Sequence, residues 1–135
     1  AGGFEFLSFK ISPHRIVPTK TACKSLLEDL DAAIYTAKAD IQAAGSKERR
    51  SEPRYIQALA LLDRKIRGWG DAFRPTTDRL IFGQLDDSIG AEVEKFQNWF
   101  FHVTKHFDKR VKRRALGMAL LFDTPVESKK NAAEK

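Results

Sequence analysis

The sequence predicts a mainly α fold: a three-helix bundle with a small N-terminal β-hairpin and a short, basic C-terminal helix. Three long segments repeat apolar residues every three or four positions, which is the spacing of one buried helical face. The first segment instead alternates apolar and polar residues, which is typical of a strand with one buried side. Proline and glycine stand near the ends of these segments, as they do where helices begin and stop.

The chain length of 135 residues suits one domain. Residues 1–3 resemble a cloning remnant, and residues 4–122 carry all of the periodic segments. Residues 123–135 have almost nothing to bury, so we expect a disordered tail there. No apolar run approaches the roughly 20 residues of a membrane span, so we expect no membrane partner. The single cysteine, Cys23, cannot form an internal disulfide and favours a reducing, cytoplasmic setting.

The β-hairpin is predicted from the stretch FEFLSFKISPHRIVPT. Leu7, Phe9 and Ile11 alternate with polar residues, which indicates a strand near residues 6–11. The Ser-Pro-His that follows supplies a turn, and a second short strand is expected near residues 15–17.

The first helix is predicted over residues 20–44. Thr19 or Thr21 can cap its N-terminus through a hydroxyl oxygen, and Gly45 can end it. Its apolar face comprises Cys23, Leu27, Leu30, Ile34, Ala37 and Ile41. Its place on this face makes Cys23 a small core residue rather than a nucleophile.

The second helix, predicted over residues 53–74, has the clearest periodicity in the chain. Pro53 is suited to its first turn, and Pro75 ends it because a proline disfavours helical geometry in the residue before it. Its buried seam comprises Tyr55, Leu59, Leu62, Ile66, Trp69 and Phe73. Trp69 and Trp99 both belong to apolar stripes, so we expect them in the core rather than as platforms for stacking bases.

The third helix is predicted over residues 77–107, capped by Thr76, Thr77 or Asp78. Its apolar face comprises Leu85, Ile89, Val93, Phe96, Phe100, Val103 and Phe107. The helices are expected to bury together Leu30, Leu62, Trp69, Phe73, Ile89 and Phe96. A short fourth helix is expected around Val111, Ala115, Met118 and Leu121 or Phe122.

Two glycines interrupt the second helix, in the stretch KIRGWGDAFR. Gly70 lies at the edge of the apolar seam, which favours a close crossing with a neighbouring helix. Gly68 projects nearly opposite the seam, where internal packing gives no reason to accept about 1 kcal/mol relative to alanine. Two explanations are open: a nucleic-acid backbone lies against Gly68, or a missing part of a larger protein does.

The formal charge of +6 and the isoelectric point near 9.6 favour an anionic partner, with nucleic acid the first candidate. Basic residues are dense around the loop before the second helix, within that helix, and after the third helix. Such clusters suit a phosphate backbone, although a solvated surface also carries lysine and arginine. The candidate nucleic-acid-binding residues are Arg49, Arg50, Arg64, Arg67, Gly68, Lys105, Lys109, Arg110, Lys112, Arg113 and Arg114.

We expect no catalytic, metal or cofactor site in this chain. The adjacent Asp86 and Asp87 diverge by about 100° on a helix, so they cannot jointly hold a metal ion. Asp86 is expected to orient a turn or to pair with an arginine. His102 and His106 share a helical face, but no third ligand accompanies them.

Three of these motifs resemble one protein family. The stretch FLSFKISPHRIVPTK, the later IRGWGDAFR and the following LDDSI are similar to the C-terminal thumb, or maturase-specific (X) domain, of group II intron-type prokaryotic reverse transcriptases. Members typically show a Phe-Leu-Gly-Phe strand, then a (Leu/Ile)-Arg-Gly-Trp-(Ala/Gly)-x-x-(Phe/Tyr) helix, then a Leu-Asp pair. The matching residues are Phe6, Leu7, Phe9, Arg67, Gly68, Trp69, Gly70, Phe73, Leu85 and Asp86.

The resemblance implies that residues 4–122 form a thumb-like domain without a catalytic site of its own. In the family, polymerisation needs paired aspartates that hold two magnesium ions in a palm upstream of the thumb. The domain would bind an RNA or RNA/DNA template-primer duplex, or a cognate structured RNA, mainly through backbone contacts. Its protein partners would be the palm and fingers of the parent polymerase.

Two departures from the family pattern bear on which polymerase this is. Ser8 replaces the usual glycine of the strand motif, and the third helix lacks the arginines common in intron maturases. Reverse transcriptases associated with CRISPR systems or antiphage defence share this thumb. The parent protein that the resemblance implies is therefore either an intron maturase or one of these related reverse transcriptases. An alternative function is a protein-interaction or oligomerisation module, in which the arginines and Gly68 contact the parent polymerase or a second subunit.

Overall fold

In the computed structural model, the described residues are 4–6, 8–45 and 54–126. Along the chain they form β1 (Phe4–Phe6), β2 (Phe9–Ser12), β3 (Arg15–Pro18), α1 (Lys20–Gln42), α2 (Tyr55–Ala72), α3 (Leu80–Thr104) and α4 (Lys109–Leu116). Short 3-10 turns follow α1 at Ala43–Gly45 and α4 at Leu121–Asp123. The predicted mainly α fold class is therefore confirmed, and the three long helices begin and end within three residues of their predicted bounds.

The predicted N-terminal hairpin is present as β2 and β3, and β1 pairs with the other edge of β2 to give a three-stranded antiparallel sheet in the order β1-β2-β3. Ser8, with a φ of 73°, lies in the turn between Phe6 and Phe9, which pair across the first hairpin. The prediction of one strand over residues 6–11 is therefore wrong, because this turn divides it into β1 and β2. A positive φ is uncommon for residues other than glycine, so alternation alone does not reveal the break. The second predicted strand is confirmed as β3.

The sheet is fastened to the segment that joins α2 to α3. Thr77 N donates a hydrogen bond to Ile16 O at 2.8 Å, and Ile16 N donates to Thr77 Oγ1 at 2.8 Å. Arg15 Nε lies 2.9 Å from Asp78 Oδ2. Both backbone groups of Ile16 are thus bonded to the helical part of the protein, which fixes the sheet against it.

α1 is the central helix and packs against α2, α3 and α4. Of the two predicted N-caps, Thr19 caps the helix: its Oγ1 accepts a hydrogen bond from Ala22 N at 3.1 Å. The buried residues of α1 are Ala22, Leu26, Leu30, Ala33, Ile34, Ala37 and Ile41. Cys23 is half-buried, and burial raises the pKa of its thiol, which disfavours the reactive thiolate at neutral pH.

The core joins the start of α2 to the second half of α3. Tyr55 stacks on Phe100 with ring centroids 3.9 Å apart, and Phe96 lies 5.3 Å from Tyr55. Of the residues predicted to be buried together, those below a tenth exposed are Leu30, Leu62, Phe73, Ile89 and Phe96. Trp69, the sixth, is half-buried and packs against the same core.

A cavity of about 110 Å³ lies between α1, α2 and α3, next to Trp69. Trp69 Nε1 donates a hydrogen bond to Ala22 O at 3.3 Å, and its ring stacks on Phe73 with centroids 4.3 Å apart. The cavity is lined by Leu26, Ile66, Trp69, Gly70, Phe82, Leu85, Asp86 and Ile89. A Cβ atom added at Gly70 would meet no atom within 4 Å. The predicted close helix crossing at Gly70 is therefore wrong, since this glycine borders open space.

The fourth helix is shorter than expected. Gly117 adopts a φ of 95°, in the left-handed region, and ends α4 after Leu116. The predicted helical positions beyond this point lie outside the helix and are exposed; they are Met118, Leu121 and Phe122. The prediction that these residues are helical is therefore wrong. It followed the apolar spacing beyond Gly117, whereas the left-handed backbone of Gly117 ends the helix.

Some expectations fall outside the described residues. These are the remnant at residues 1–3, Leu7 of the predicted first strand, Arg49, Arg50 and Pro53, and residues 127–135 of the expected tail. Within the described ranges, no helix combines the length and the apolar character needed to cross a membrane.

Candidate nucleic-acid interface

α4 is held in place at both of its ends. At its N-terminus, Asp108 Oδ1 accepts hydrogen bonds from the backbone N atoms of Arg110 and Val111, each at 2.9 Å. At its C-terminus, Gln57 Nε2 on α2 donates to Gly117 O at 2.7 Å. These contacts, with the buried Ala115 beneath the helix, give α4 one fixed orientation on the bundle.

Five exposed cations lie on α4 and the segment before it. We call them the basic surface, which consists of Lys105, Lys109, Arg110, Lys112 and Arg113. Among the described residues, none of the five forms an ion pair with a carboxylate. The one acidic residue within this stretch, Asp108, has an oxygen engaged in capping α4. The positive charge of the basic surface is therefore available to an external anion.

Two arginines of the basic surface also touch the segment that follows α4. Arg113 Nη2 donates a hydrogen bond to Ala119 O at 2.7 Å. The Arg110 guanidinium lies over the ring of Phe122, 4.8 Å from its centroid. Both contacts leave the charge of the guanidinium unneutralised, because a carbonyl and an aromatic ring are its partners.

Arg114 differs from its neighbours because a carboxylate already binds it. Its Nε and Nη2 lie 2.7 and 2.6 Å from the two carboxylate oxygens of Asp123. The side chains of Arg114 and Asp123 are only 20% and 29% exposed. The hydrogen bond and the negative charge of Asp123 raise the pKa of the guanidinium. In this arrangement Arg114 fastens the turn after α4 to the helix, a positioning role that does not need a phosphate.

A second group of predicted residues lies on α2. Gln57, Arg64 and Gly68 fall within a sector of about 40° on an ideal helix, spread over about 16 Å along its axis. Gln57 contacts the residue that ends α4, so this sector extends from the end of α4 along α2. Arg64 and Gly68 are exposed, and a Cβ atom added at Gly68 would meet no atom within 4 Å. No internal contact of the described residues therefore explains Gly68.

Arg67 lies to one side of this sector, by about 80° from Gln57. Its Nε is 2.8 Å from Asp63 Oδ2, and both side chains are more than half exposed. The hydrogen bond that Arg67 donates to Asp63 raises the pKa of the Arg67 guanidinium, with a smaller contribution from the charge of Asp71. Arg67 thus stands beside two carboxylates, whereas Arg64 forms no ion pair within the described residues.

The described candidate residues form two groups, the basic surface and the Arg64–Gly68 face of α2, while Arg67 and Arg114 are paired with carboxylates. Arg49 and Arg50 lie outside the described residues. Sequence reasoning did not assign a role to Gln57, which joins α2 to the end of α4, or to Asp123, which binds Arg114. Gln57 could have been identified from its polar side chain on the same face of α2 as Arg64. No local sequence pattern indicates Asp123 as the partner of Arg114.

The other titratable candidates do not assemble into a site. Within the described ranges, no group of three or more His, Cys, Asp or Glu side chains is placed to hold a metal ion. His102 and His106 are exposed. Asp86 lies at the cavity next to Trp69, and the described residues include no arginine paired with it.

Comparison with known proteins adds no assignment to this geometry: no protein-family model, no curated protein and no solved structure matches the chain.

Proposed function

We propose that this chain is a non-catalytic domain that binds duplex RNA or an RNA/DNA hybrid through its phosphate backbone. The observation that carries the proposal is the basic surface, in which five exposed cations lie within nine residues without a paired carboxylate among the described residues. Cations in such a cluster attract phosphates and displace their counterions. The sequence motifs support a more specific proposal, that the domain is the thumb of a group II intron-type reverse transcriptase.

The exposed face of α2 supports the same proposal. Gly68 presents bare backbone on a face that Arg64 shares, and α4 is fastened to the start of that face through Gln57. A phosphodiester strand could approach closely at Gly68 while Arg64 and the basic surface contact its phosphates. Contacts of this kind position a duplex and carry little sequence information. We therefore propose that affinity depends on the form of the nucleic acid more than on its sequence.

A salt titration tests the proposal directly. If the five cations of the basic surface and Arg64 each contact a phosphate, a plot of log affinity against log salt concentration should have a slope of about −5. Affinity for duplex RNA should then fall about a thousandfold between about 50 and about 200 mM salt. Fluorescence anisotropy with two unrelated duplex sequences measures both the slope and its independence of sequence. A flat salt response, together with concentration-dependent self-association, would favour the protein-interaction module instead.

Two glycines of α2 provide a matched test of the approach to the backbone. Gly68→Leu and Gly70→Leu each remove a helical glycine that borders open space, so each should raise the free energy of unfolding by up to about 1 kcal/mol. Only Gly68 lies on the face that Arg64 shares, so only Gly68→Leu should weaken binding of duplex RNA. Thermal unfolding and anisotropy on the same samples separate the two effects. Equal RNA affinity of both variants would remove Gly68 from the interface.

A further inference from the structure

Phe122 is an aromatic side chain that the hydrophobic core does not use. It lies in the 3-10 turn Leu121–Asp123 and is 72% exposed, next to Leu121, which is 90% exposed. A single exposed apolar residue is ordinary on a protein surface. Phe122, however, is in contact with the basic surface through Arg110, and this placement calls for a chemical explanation.

The backbone around Phe122 is held in a defined position. The next residue, Asp123, is bound at both carboxylate oxygens by Arg114. Asp123 N also donates a hydrogen bond to Leu120 O at 3.0 Å, and the Leu120 side chain is buried. The turn therefore presents the Phe122 ring to solvent from a fixed support, rather than leaving it on a loose chain.

The ring and the guanidinium form an exposed cation–π pair, in which the guanidinium lies over one face of the ring. The Arg110 guanidinium lies 4.8 Å from the centre of the Phe122 ring, a distance at which a cation is attracted to the ring face. Both groups are planar, and both can stack on a nucleobase. Lys109, Lys112 and Arg113 on the same short helix supply cations for the adjoining phosphates.

We propose that Phe122 and Arg110 form a stacking site for an unpaired base of an RNA strand whose phosphates contact the basic surface. This inference rests on the proposed function. Bases inside a duplex stack on each other and cannot reach a surface side chain, whereas unpaired bases stack readily on aromatic rings and guanidinium planes. The substrate class is therefore a duplex with an adjoining single-stranded segment, in preference to a blunt duplex.

Two RNAs test this inference: a blunt duplex, and the same duplex with a single-stranded extension at one end. The unchanged protein should bind the extended RNA more tightly. Phe122→Ala should weaken binding of the extended RNA about tenfold, since that is the usual effect of losing one stacked base, and should leave binding of the blunt duplex unchanged. Phe122→Trp should retain the preference for the extended RNA, because the larger ring also stacks.

Phe101→Ala is the matched control. Phe101 is 62% exposed on α3, and among the described residues no cation lies over its ring. This variant should bind both RNAs as the unchanged protein does. Equal affinity of the unchanged protein for the two RNAs, or an equal loss on both in Phe122→Ala, would overturn the stacking site while the salt-dependent duplex binding stands. Failure to bind either RNA would refute the proposed function and this inference with it.

Discussion

Replacing Phe96 by alanine should lower the free energy of unfolding by about 3 to 5 kcal/mol. Phe96 is 1% exposed. Its ring centroid lies 5.3 Å from that of Tyr55 and 6.2 Å from that of Trp99. Truncation removes a ring from the centre of the core and leaves a cavity that the surrounding helices can fill only in part. A domain of this size has a total stability of about 5 to 15 kcal/mol, so the variant should be close to unfolding.

Urea denaturation followed by helical circular dichroism measures the loss for Phe96→Ala. Phe101→Ala is the control, because Phe101 lies on the same helix but is 62% exposed. A surface substitution of this kind should change the free energy of unfolding by less than about 0.5 kcal/mol. Similar denaturation midpoints for the two variants would contradict the assignment of Phe96 to the centre of the core.

Reversing two charges of the basic surface should have the largest effect on binding. In the proposed interface, the double substitution Lys109→Glu/Lys112→Glu would remove two phosphate contacts, each worth about a tenfold change in affinity near 0.1 M salt by counterion release. Affinity for duplex RNA should fall about a hundredfold or more, and the log-log salt slope should flatten by about two units. Both side chains are exposed on α4, so the fold should be retained.

Lys10→Glu/Lys20→Glu makes the same change in net charge at another site. Lys10 lies on β2 and Lys20 begins α1, and both are exposed. The N-terminus of α1 is about 33 Å from its C-terminal end along the helix axis, and α4 packs against the 3-10 turn at that C-terminal end. If the control double variant loses as much affinity as the α4 variant, binding follows total charge and the basic surface has no special role.

The long helices could be predicted from the sequence because their signal is local and repeated. Each buried face contributes an apolar residue every three or four positions, so the pattern survives an exception such as the half-buried Trp69. The caps were also readable, since Thr19 and Asp78 hold the N-terminal backbone of α1 and α3 through short side chains.

The turns were less predictable because single residues decide them. Ser8 adopts a positive φ that glycine or asparagine would have signalled, and this splits the first predicted strand. Gly117 was present in the sequence, but the apolar residues beyond it maintained helical spacing and concealed the stop. The spacing of apolar residues reports which residues share a face, and it carries no information on the φ angle of a single residue such as Ser8 or Gly117.

The candidate site was predicted in its composition but not in its connections. The density of lysine and arginine after α3 was visible from the sequence, and it is the basis of the basic surface. The pairing of Arg114 with Asp123 could not be predicted, because the two residues are nine positions apart and a left-handed turn lies between them. The predicted close helix crossing at Gly70 was wrong for a related reason. The position of Gly70 on the seam can be read from the local sequence, whereas the space beside it depends on how three helices are arranged.

The short length of α4 has a consequence for any ligand of the basic surface. An isolated helix of eight residues is too short to persist in water, since stable isolated helices need about 12 to 15 residues. Here the Asp108 cap, the Gln57 hydrogen bond and the Arg114–Asp123 pair hold α4 in helical form before any ligand arrives. The entropic cost of ordering the backbone that carries these cations is therefore met during folding. We therefore expect the proposed RNA ligand to bind a preorganised surface, without a loss of affinity from having to fold α4 on binding.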